Sequence, residues 1–250
     1  MPVTIKSANE IALMREAGRL LEIVHGELAK LIAPGISTIE LDKVAEEMIR
    51  DFGCTPNFLN YNGFPASICA SLNEEVVHGI PSKKKILREG DIISIDMGLI
   101  YKRYHSDAAR TYAVGEISKE ASQLIEVTKQ SFFEGIKYAK AGNHLFDISA
   151  AVGAYAESFG FGVVKDMVGH GIGTQMHEEP QIPNFAQKRR GLRLQPGMTL
   201  AIEPMINAGR SDIRWLDDDW TIVSDDGSLS AHYENTILIT DGEPEILTLS

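Results

Sequence analysis

Five side chains of the kinds that bind divalent ions, Asp96, Asp107, His170, Glu203 and Glu234, follow one another at intervals of 11, 63, 33 and 31 residues. The first two lie in DIISIDMGLIYKRYHSDAARTYAVG, residues 91–115, which reads as a hairpin turning near Tyr101 and Lys102 with Asp96 facing Asp107. Side chains so paired stand about 5 Å apart on one face. Unit charges 4 Å apart at an effective dielectric of 20 repel by about 4 kcal/mol. Such a pair is relieved by a shared proton, by a cation between the two groups, or by solvation of one carboxylate at a strand end. Four carboxylates balance two divalent ions, and a neutral imidazole such as that of His170 favours a transition metal over calcium or magnesium. Carboxylates, one imidazole and two metals make up the hydrolytic two-metal sites, in which a bridging water is ionised and a carbonyl polarised. No pair of histidines four apart with an intervening glutamate occurs here, since Glu178-Glu179-Pro180-Gln181 follows His177. A helix-borne zinc site is thereby excluded.

VGHGIGTQMHEEP, residues 168–180, sets His170 and His177 in a run of glycines that suits neither a helix nor a strand. Ordered glycine gives up more backbone freedom than any other residue. The run is read as letting backbone approach a bound ion or substrate, the alternative being an irregular loop.

The elements that must position these groups are legible as patterns. SANE, Ser7 to Glu10, matches a capping box and opens a helix to Ile32, with Leu13, Ala17, Leu20, Leu21, Val24, Leu28 and Leu31 on one face, ended by Pro34-Gly35. A second box, Ser37 to Glu40, opens a helix with Leu41, Val44, Ala45, Met48, Ile49 and Phe52 inward and Gly53 as its left-handed terminator. Displaced by 107 positions, the chain meets itself: Gly35 falls on Gly142, Glu40 on Asp147, Phe52-Gly53 on Phe159-Gly160, and GDIISID (90–96) on GMTLAIE (197–203). In this reading a carboxylate ends a strand in each half. With about twenty further residues, HSD at 105–107 echoes HYE at 232–234, and a third helix runs from about Ser118 to Ala139. The expectation is one α+β domain over residues 1–250, two-layered and made of two related halves, about 1–114 and 115–250. The halves would share a sheet and a core about a pseudo-twofold axis, with the site where their corresponding strands meet.

At 250 residues and 44% apolar the chain can bury a sizeable core. A net charge of -11 argues against a nucleic-acid partner. The one dense basic stretch, Lys83-Lys84-Lys85 with Arg88, reads as a solvated loop. The first residues lack an apolar run long enough for a signal peptide or membrane helix. Cys54 and Cys69 read as reduced thiols, and a cytoplasmic location is the default expectation.

The ordered ligand set, with the strings NEEVVHGIP (73–81), DIISIDMG (91–98), GHGIGTQMHEEPQIP (169–183) and SLSAHYENTILIT (228–240), resembles the methionine aminopeptidases over essentially the whole chain. The resemblance implies the creatinase/aminopeptidase-like pita-bread fold. It also implies a monomer that removes the initiator methionine from nascent polypeptides when the second residue is small, in transient contact with the ribosome. By the same resemblance two divalent ions, of cobalt, manganese, iron or zinc, are held by Asp96, Asp107, His170, Glu203 and Glu234, with Asp107 and Glu234 bridging. Glu203 would shuttle protons, His177 would stabilise the tetrahedral intermediate, and His78 would contact the substrate near the scissile amide. A methionine pocket is implied from Phe58, Tyr61, Phe64, Cys69 and Trp220, with Met176 near its edge. Phe58, Phe64 and Met176 depart from the familiar form, which has cysteine, tyrosine and phenylalanine there, so the pocket stays apolar but its fine selectivity is left open. His25, His105, His144 and His232 are assigned structural or solvent-exposed places. The interval of 33 from His170 to Glu203 matches the short bacterial-type form, without the helical insertion of the longer type, and no amino-terminal zinc module is expected. Two other readings compete. One is an Xaa-Pro aminopeptidase, which shares the fold but usually carries an additional amino-terminal domain. The other is a non-enzymatic pita-bread binding protein, a class that has typically lost metal ligands.

Overall fold

A computed structural model of the chain describes residues 3–249. In chain order the elements are α1 (Ala8–Leu31), α2 (Thr38–Asp51), β1 (Thr55–Pro56), β2 (Ile68–Leu72), β3 (Glu75–Val77), β4 (Ile92–Tyr101) and β5 (Tyr104–Ala113). They continue with α3 (Lys119–Ile136), α4 (Leu145–Ser158), β6 (Gly162–Val163), β7 (Gly169–Gly171), β8 (Glu178–Ile182), β9 (Thr199–Ile202) and β10 (Met205–Asn207). The last are β11 (Ile213–Trp215), β12 (Ile222–Ser224), β13 (Ser230–His232), β14 (Asn235–Leu238) and β15 (Glu245–Ile246). The content is α+β, with a pair of helices packed on sheet in each half.

Both capping boxes form. The Glu10 and Glu40 carboxylates accept from the backbone N–H groups of Ser7 and Ser37 at 2.7 and 2.9 Å, so α1 and α2 start one residue after each serine. The buried stripe of α1 runs through Met14, Ala17, Leu20, Leu21, Val24 and Leu28. Leu31, expected on that stripe, is 38% exposed, because it is the final helical residue before the chain turns at Pro34-Gly35. With α2, this stripe packs on β2 and β4 through Leu41, Ala45, Ile49, Ile68, Ile93, Ile95 and Met97. In the second half Phe132, Ile148 and Val152 of α3 and α4 pack on Leu200, Ile202 and Ile237 of the five-stranded sheet β15-β14-β9-β7-β8.

The displacement of 107 residues is kept in three dimensions. α2 and α4, β1 and β6, and the first residues of β4 and β9 are each separated by that number. The bonds recur too: Gly35 N–H donates to Leu87 O as Gly142 N–H does to Leu194 O, at 2.8 and 3.0 Å. Gly35 and Gly142 have φ of 100° and 90°, Gly53 and Gly160 of 69° and 81°, which β-carbon sterics leave to glycine.

The halves meet where β5 lies against the chain entering β14. Ala109 and Glu234 exchange backbone hydrogen bonds of 3.3 and 2.9 Å, and the Thr236 hydroxyl bonds both backbone groups of Asp107. Paired positions sum to 343 (109 + 234 and 107 + 236). The HSD and HYE strings are offset by 127, so Ala108 falls opposite Asn235, its own counterpart (108 + 127 = 235). Two antiparallel copies related by a twofold axis must cross at such a point. Asp107 and Glu234 flank it.

Three local expectations are corrected. The hairpin pairs Tyr101 with Tyr104, because Lys102 and Arg103, with φ of 46° and 78°, make a two-residue turn of the left-handed kind. Asp107 therefore lies opposite Gly98 and Asp96 opposite Ala109, so the carboxylates are diagonal neighbours on one face. Asp96 sits mid-strand in β4 rather than at a strand end, whereas Glu203 does follow the last residue of β9. Of the basic stretch, Lys83, Lys84 and Arg88 are exposed in a loop as expected, whereas Lys85 is half-buried and its ammonium bonds both oxygens of half-buried Glu75 at 2.7 Å.

The glycine run is a strand after all. β7 is threaded between β8 and β9, and its backbone is so close to both that a β-carbon on Gly171 would overlap the Glu179 carbonyl and one on Gly169 the Ala201 carbonyl. The glycines serve strand-to-strand approach rather than approach to an ion. Gly171→Ala is accordingly expected to cost about 2 kcal/mol or more in denaturant unfolding. Gly26→Ala, in α1 with nothing near its added methyl, should be neutral or stabilising. Equal stability of the two variants would refute this account of β7.

Candidate metal centre

Each predicted donor comes from a different stretch of backbone. β4 carries Asp96 and β5 carries Asp107. β7 carries His170, directly beside Ala201 of β9. β9 pairs with β14 so that Asn235 faces Ile202, and the next positions in that register are Glu234 and Glu203. The carboxylates of the second half thus oppose each other directly, while those of the first are diagonal.

The five groups converge on the wall of one cavity of about 280 Å³. His170 Nε2 lies 3.5 Å from Glu203 Oε1 and 4.0 Å from Asp107 Oδ2. Its Nδ1–H donates to Gly171 O at 2.9 Å, which fixes the tautomer and leaves the Nε2 lone pair facing the carboxylates. Asp107, His170 and Glu234 each offer an atom within 4.8 Å of the others, and so do Glu203, His232 and Glu234. Asp96 Oδ1, Asp107 Oδ1 and Glu234 Oε1 are buried without a hydrogen-bond partner. Arg110 holds the Glu234 stretch in place, donating to Glu234 O, to Asn235 Oδ1 at 2.6 Å and to Thr248 O at 3.1 Å.

The electrostatics are those of negative charge crowded away from water. Burial pushes Asp96 up from 3.8 to about 7. Asp107 is raised well above the carboxylate range by burial and then by Asp96 and Glu203; Glu203 by burial and then by Glu234 and Asp96; Glu234 by burial and then by Asp107 and Asp96. Burial lowers His170 to about 3, so its imidazole is neutral, as a metal ligand must be. Oxygen donors with unpartnered lone pairs, a neutral imidazole and surplus negative charge fit divalent transition-metal ions.

Every residue expected in the methionine pocket lines the same cavity. Phe58, Phe64, Cys69 and Met176 are buried there, and Trp220 closes on Phe64 edge-to-face at 5.1 Å. His78 follows β3 with φ of 60°, an unusual conformation for a residue with a side chain, and stands edge-on to Trp220 at 6.3 Å. The Tyr61 hydroxyl is 2.8 Å from His177 Nδ1, and the His177 ring lies 4.3 Å from that of His170. A buried pair, Lys6 with Glu178 at 2.7 Å, pins the loop that carries His177. Val77, Met167 and Met205 also line the cavity and went unread, since each looks like ordinary core in the sequence.

His232 is the notable omission. Of the two places expected for it, structural or solvent-exposed, the exposed one is ruled out: it is buried, with Nε2 3.7 Å from Glu203 Oε2. Its signal was present: residues two apart in extended chain share a face, and His232 precedes Glu234 by two. Of the other three, His25 bonds Ala108 O at 2.9 Å, His144 caps α4, and His105 is half-buried on β5. Cys54 and Cys69 are free and buried.

Removal of metal gives a pH-dependent test. The unfolded chain releases the Asp96 proton near 3.8, whereas the metal-free folded protein keeps it to about 7. The folded state binds more protons across that window, so stability falls as pH rises through it. Metal-free Asp96→Asn should therefore be more stable than the parent at pH 8, by on the order of a few kcal/mol, with the advantage vanishing near pH 4. Thermal melts of the two proteins in chelator, compared across that range, would refute the account by showing a pH-independent gap.

Residues 12–241 match the model of metallopeptidase family M24. The chain is 54% identical over 247 residues to a methionine aminopeptidase of Clostridium acetobutylicum, covering 99% of each. It superposes on the crystal structure of methionine aminopeptidase from Thermotoga maritima with a TM-score of 0.97 and 42% identity, covering 100% of both chains. Against the Xaa-Pro dipeptidase from Bacillus anthracis the TM-score is 0.80 and the identity 27%, over 98% of this chain and 62% of that one.

Proposed function

The chain belongs to metallopeptidase family M24, and from that membership we propose that it is a two-metal methionine aminopeptidase, releasing the initiator methionine from nascent polypeptides whose second residue is small. The observation that carries the reading is a single cavity with two poles. One is an apolar lobe of Phe58, Phe64, Cys69 and Trp220, suited to an unbranched thioether; the other is the acidic cluster. A side chain seated in the first presents its backbone to the second.

Asp96, Asp107, His170, Glu203 and Glu234 would hold the ions. When bound, these supply an ionised water and polarise the carbonyl of the first peptide bond. Glu203, whose carboxylate faces His170 in the acidic cluster, takes the proton released by the attacking water and passes it to the departing amine. The Tyr61 hydroxyl lies 2.8 Å from His177 Nδ1, and in the tautomer in which that hydroxyl donates to Nδ1 the ring carries its proton on Nε2, the donor for the carbonyl oxygen as charge develops there. His78, held at positive φ beside Trp220, contacts the substrate near the scissile amide. Among the described residues no helix is long and apolar enough to cross a membrane. A cytoplasmic monomer that meets nascent chains by transient contact with the ribosome fits this reading, as does one catalytic domain built of both halves.

The decisive measurement is a peptide panel. Met-Ala and Met-Gly peptides should release methionine with at least one of cobalt, manganese, iron or zinc and stop doing so in chelator, while Ala-Pro peptides stay intact. No release with any of the four metals would end the proposal, and cleavage of Ala-Pro alone would replace it with an Xaa-Pro peptidase. His177→Ala should lower kcat about a hundredfold or more. Tyr61→Phe should lower kcat about tenfold with KM within a factor of about two. A Tyr61→Phe effect confined to KM would make Tyr61 a pocket wall and nothing more.

A further inference from the structure

His232 takes no part in the reading above, and its surroundings differ from those of the other histidines outside the ligand set. It is 1% exposed, and neither Nδ1 nor Nε2 has a hydrogen-bond partner. Leaving a buried polar group unpartnered costs about 1–3 kcal/mol, so a fold that keeps one there needs something to offset it. Nε2 stands 3.7 Å from Glu203 Oε2 and 4.0 Å from Glu234 Oε2. Both gaps exceed the roughly 3.2 Å limit of an N–H···O bond. They nearly repeat the gaps of His170 Nε2 to its own two carboxylates, 3.5 and 4.0 Å. Donors that share one ion at bond lengths near 2.1 Å stand roughly 3 to 3.5 Å apart, so each imidazole needs only a small inward shift to share an ion with its carboxylates. Glu203 divides its oxygens between the two rings, Oε1 toward His170 and Oε2 toward His232, and both donor groups include Glu234.

We propose that His232 Nε2 is a second imidazole donor to the metal pair, so that the centre binds its ions with one nitrogen on each side of Glu203. This rests on the metal-centre reading above and extends it by a sixth ligand. A second imidazole shifts the centre's preference toward cobalt, iron and zinc at the expense of manganese, which favours oxygen donors.

The test uses the full chain stripped of metal by chelator and titrated with Co(II), read by equilibrium dialysis and by the visible absorption of bound cobalt. Parent, His232→Gln, His232→Ala and His170→Ala are compared, with metal-free melts to verify folding. His232→Gln keeps an N–H donor but removes the imidazole, so it separates ligation from a hydrogen bond to Glu203. The expected result is that both His232 variants bind at least one Co(II) about tenfold or more weakly and alter the cobalt spectrum, as His170→Ala does. Parent-like affinity and spectrum in His232→Gln would overturn the proposal, even if the alanine variant were impaired. A parent that takes up fewer than two Co(II) would count against the two-ion reading instead, and His232 would still be judged from the variant-to-parent difference on the ion bound. Should the alanine variant not fold, the glutamine variant decides.

Discussion

Four carboxylates gathered where water is scarce are the constraint on which the rest of this structure depends. Each raises the proton affinity of its neighbours, and three carry a buried oxygen with no hydrogen-bond partner. Such an arrangement is unfavourable alone and becomes favourable around divalent cations, because ions in a low-dielectric cavity interact with fixed charge far more strongly than in water. The fold opposes the repulsion by burying apolar surface behind it. The strands that hold the donors are backed by Ile93, Ile95 and Met97 in the first half and by Leu200, Ile202 and Ile237 in the second.

The repeat of elements at an offset of 107 residues accounts for how one chain assembles such a site. Equivalent strands of the two halves cross antiparallel at Ala108 and Asn235, and the acidic residues on either side of the crossing become neighbours. The halves have diverged in what they add. The turn at Lys102-Arg103 makes the first pair of carboxylates diagonal, while Glu203 and Glu234 continue a direct register. The histidine two residues before the acid faces the cluster in the second half, whereas His105 in the first is half-buried with its backbone N–H donating to Gly173 O. Close passage of β7 between its neighbours, which only glycine permits, brings His170 to the same point.

The apolar lobe and the acidic lobe are joined by groups whose position depends on hydrogen bonding rather than on packing. Tyr61 comes from the first half and His177 from the second, and their exposed 2.8 Å contact lies on the cavity wall. Lys6 fixes the residue after His177 through its buried pair with Glu178. Chemistry and specificity are thus set by segments distant in sequence that share one cavity.

Much of this is legible in the chain. Capping boxes gave the helix starts to the residue, since they are local hydrogen-bond patterns, and the offset of 107 gave the repeat because equivalent turns demand equivalent glycines. The five candidate donors could be named from their types, order and flanking strings, and the candidate pocket residues only from the family resemblance that those strings carry. What the chain could not give by itself were quantities set between segments. The hairpin register turned on one residue of turn geometry, the glycines of β7 on the distance to strands not yet placed, and the place of His232 on which way a buried strand end faced. Local patterns are written in neighbouring residues, whereas a metal centre is a set of distances among residues up to 138 positions apart (Asp96 to Glu234), and only packing of the two halves fixes those.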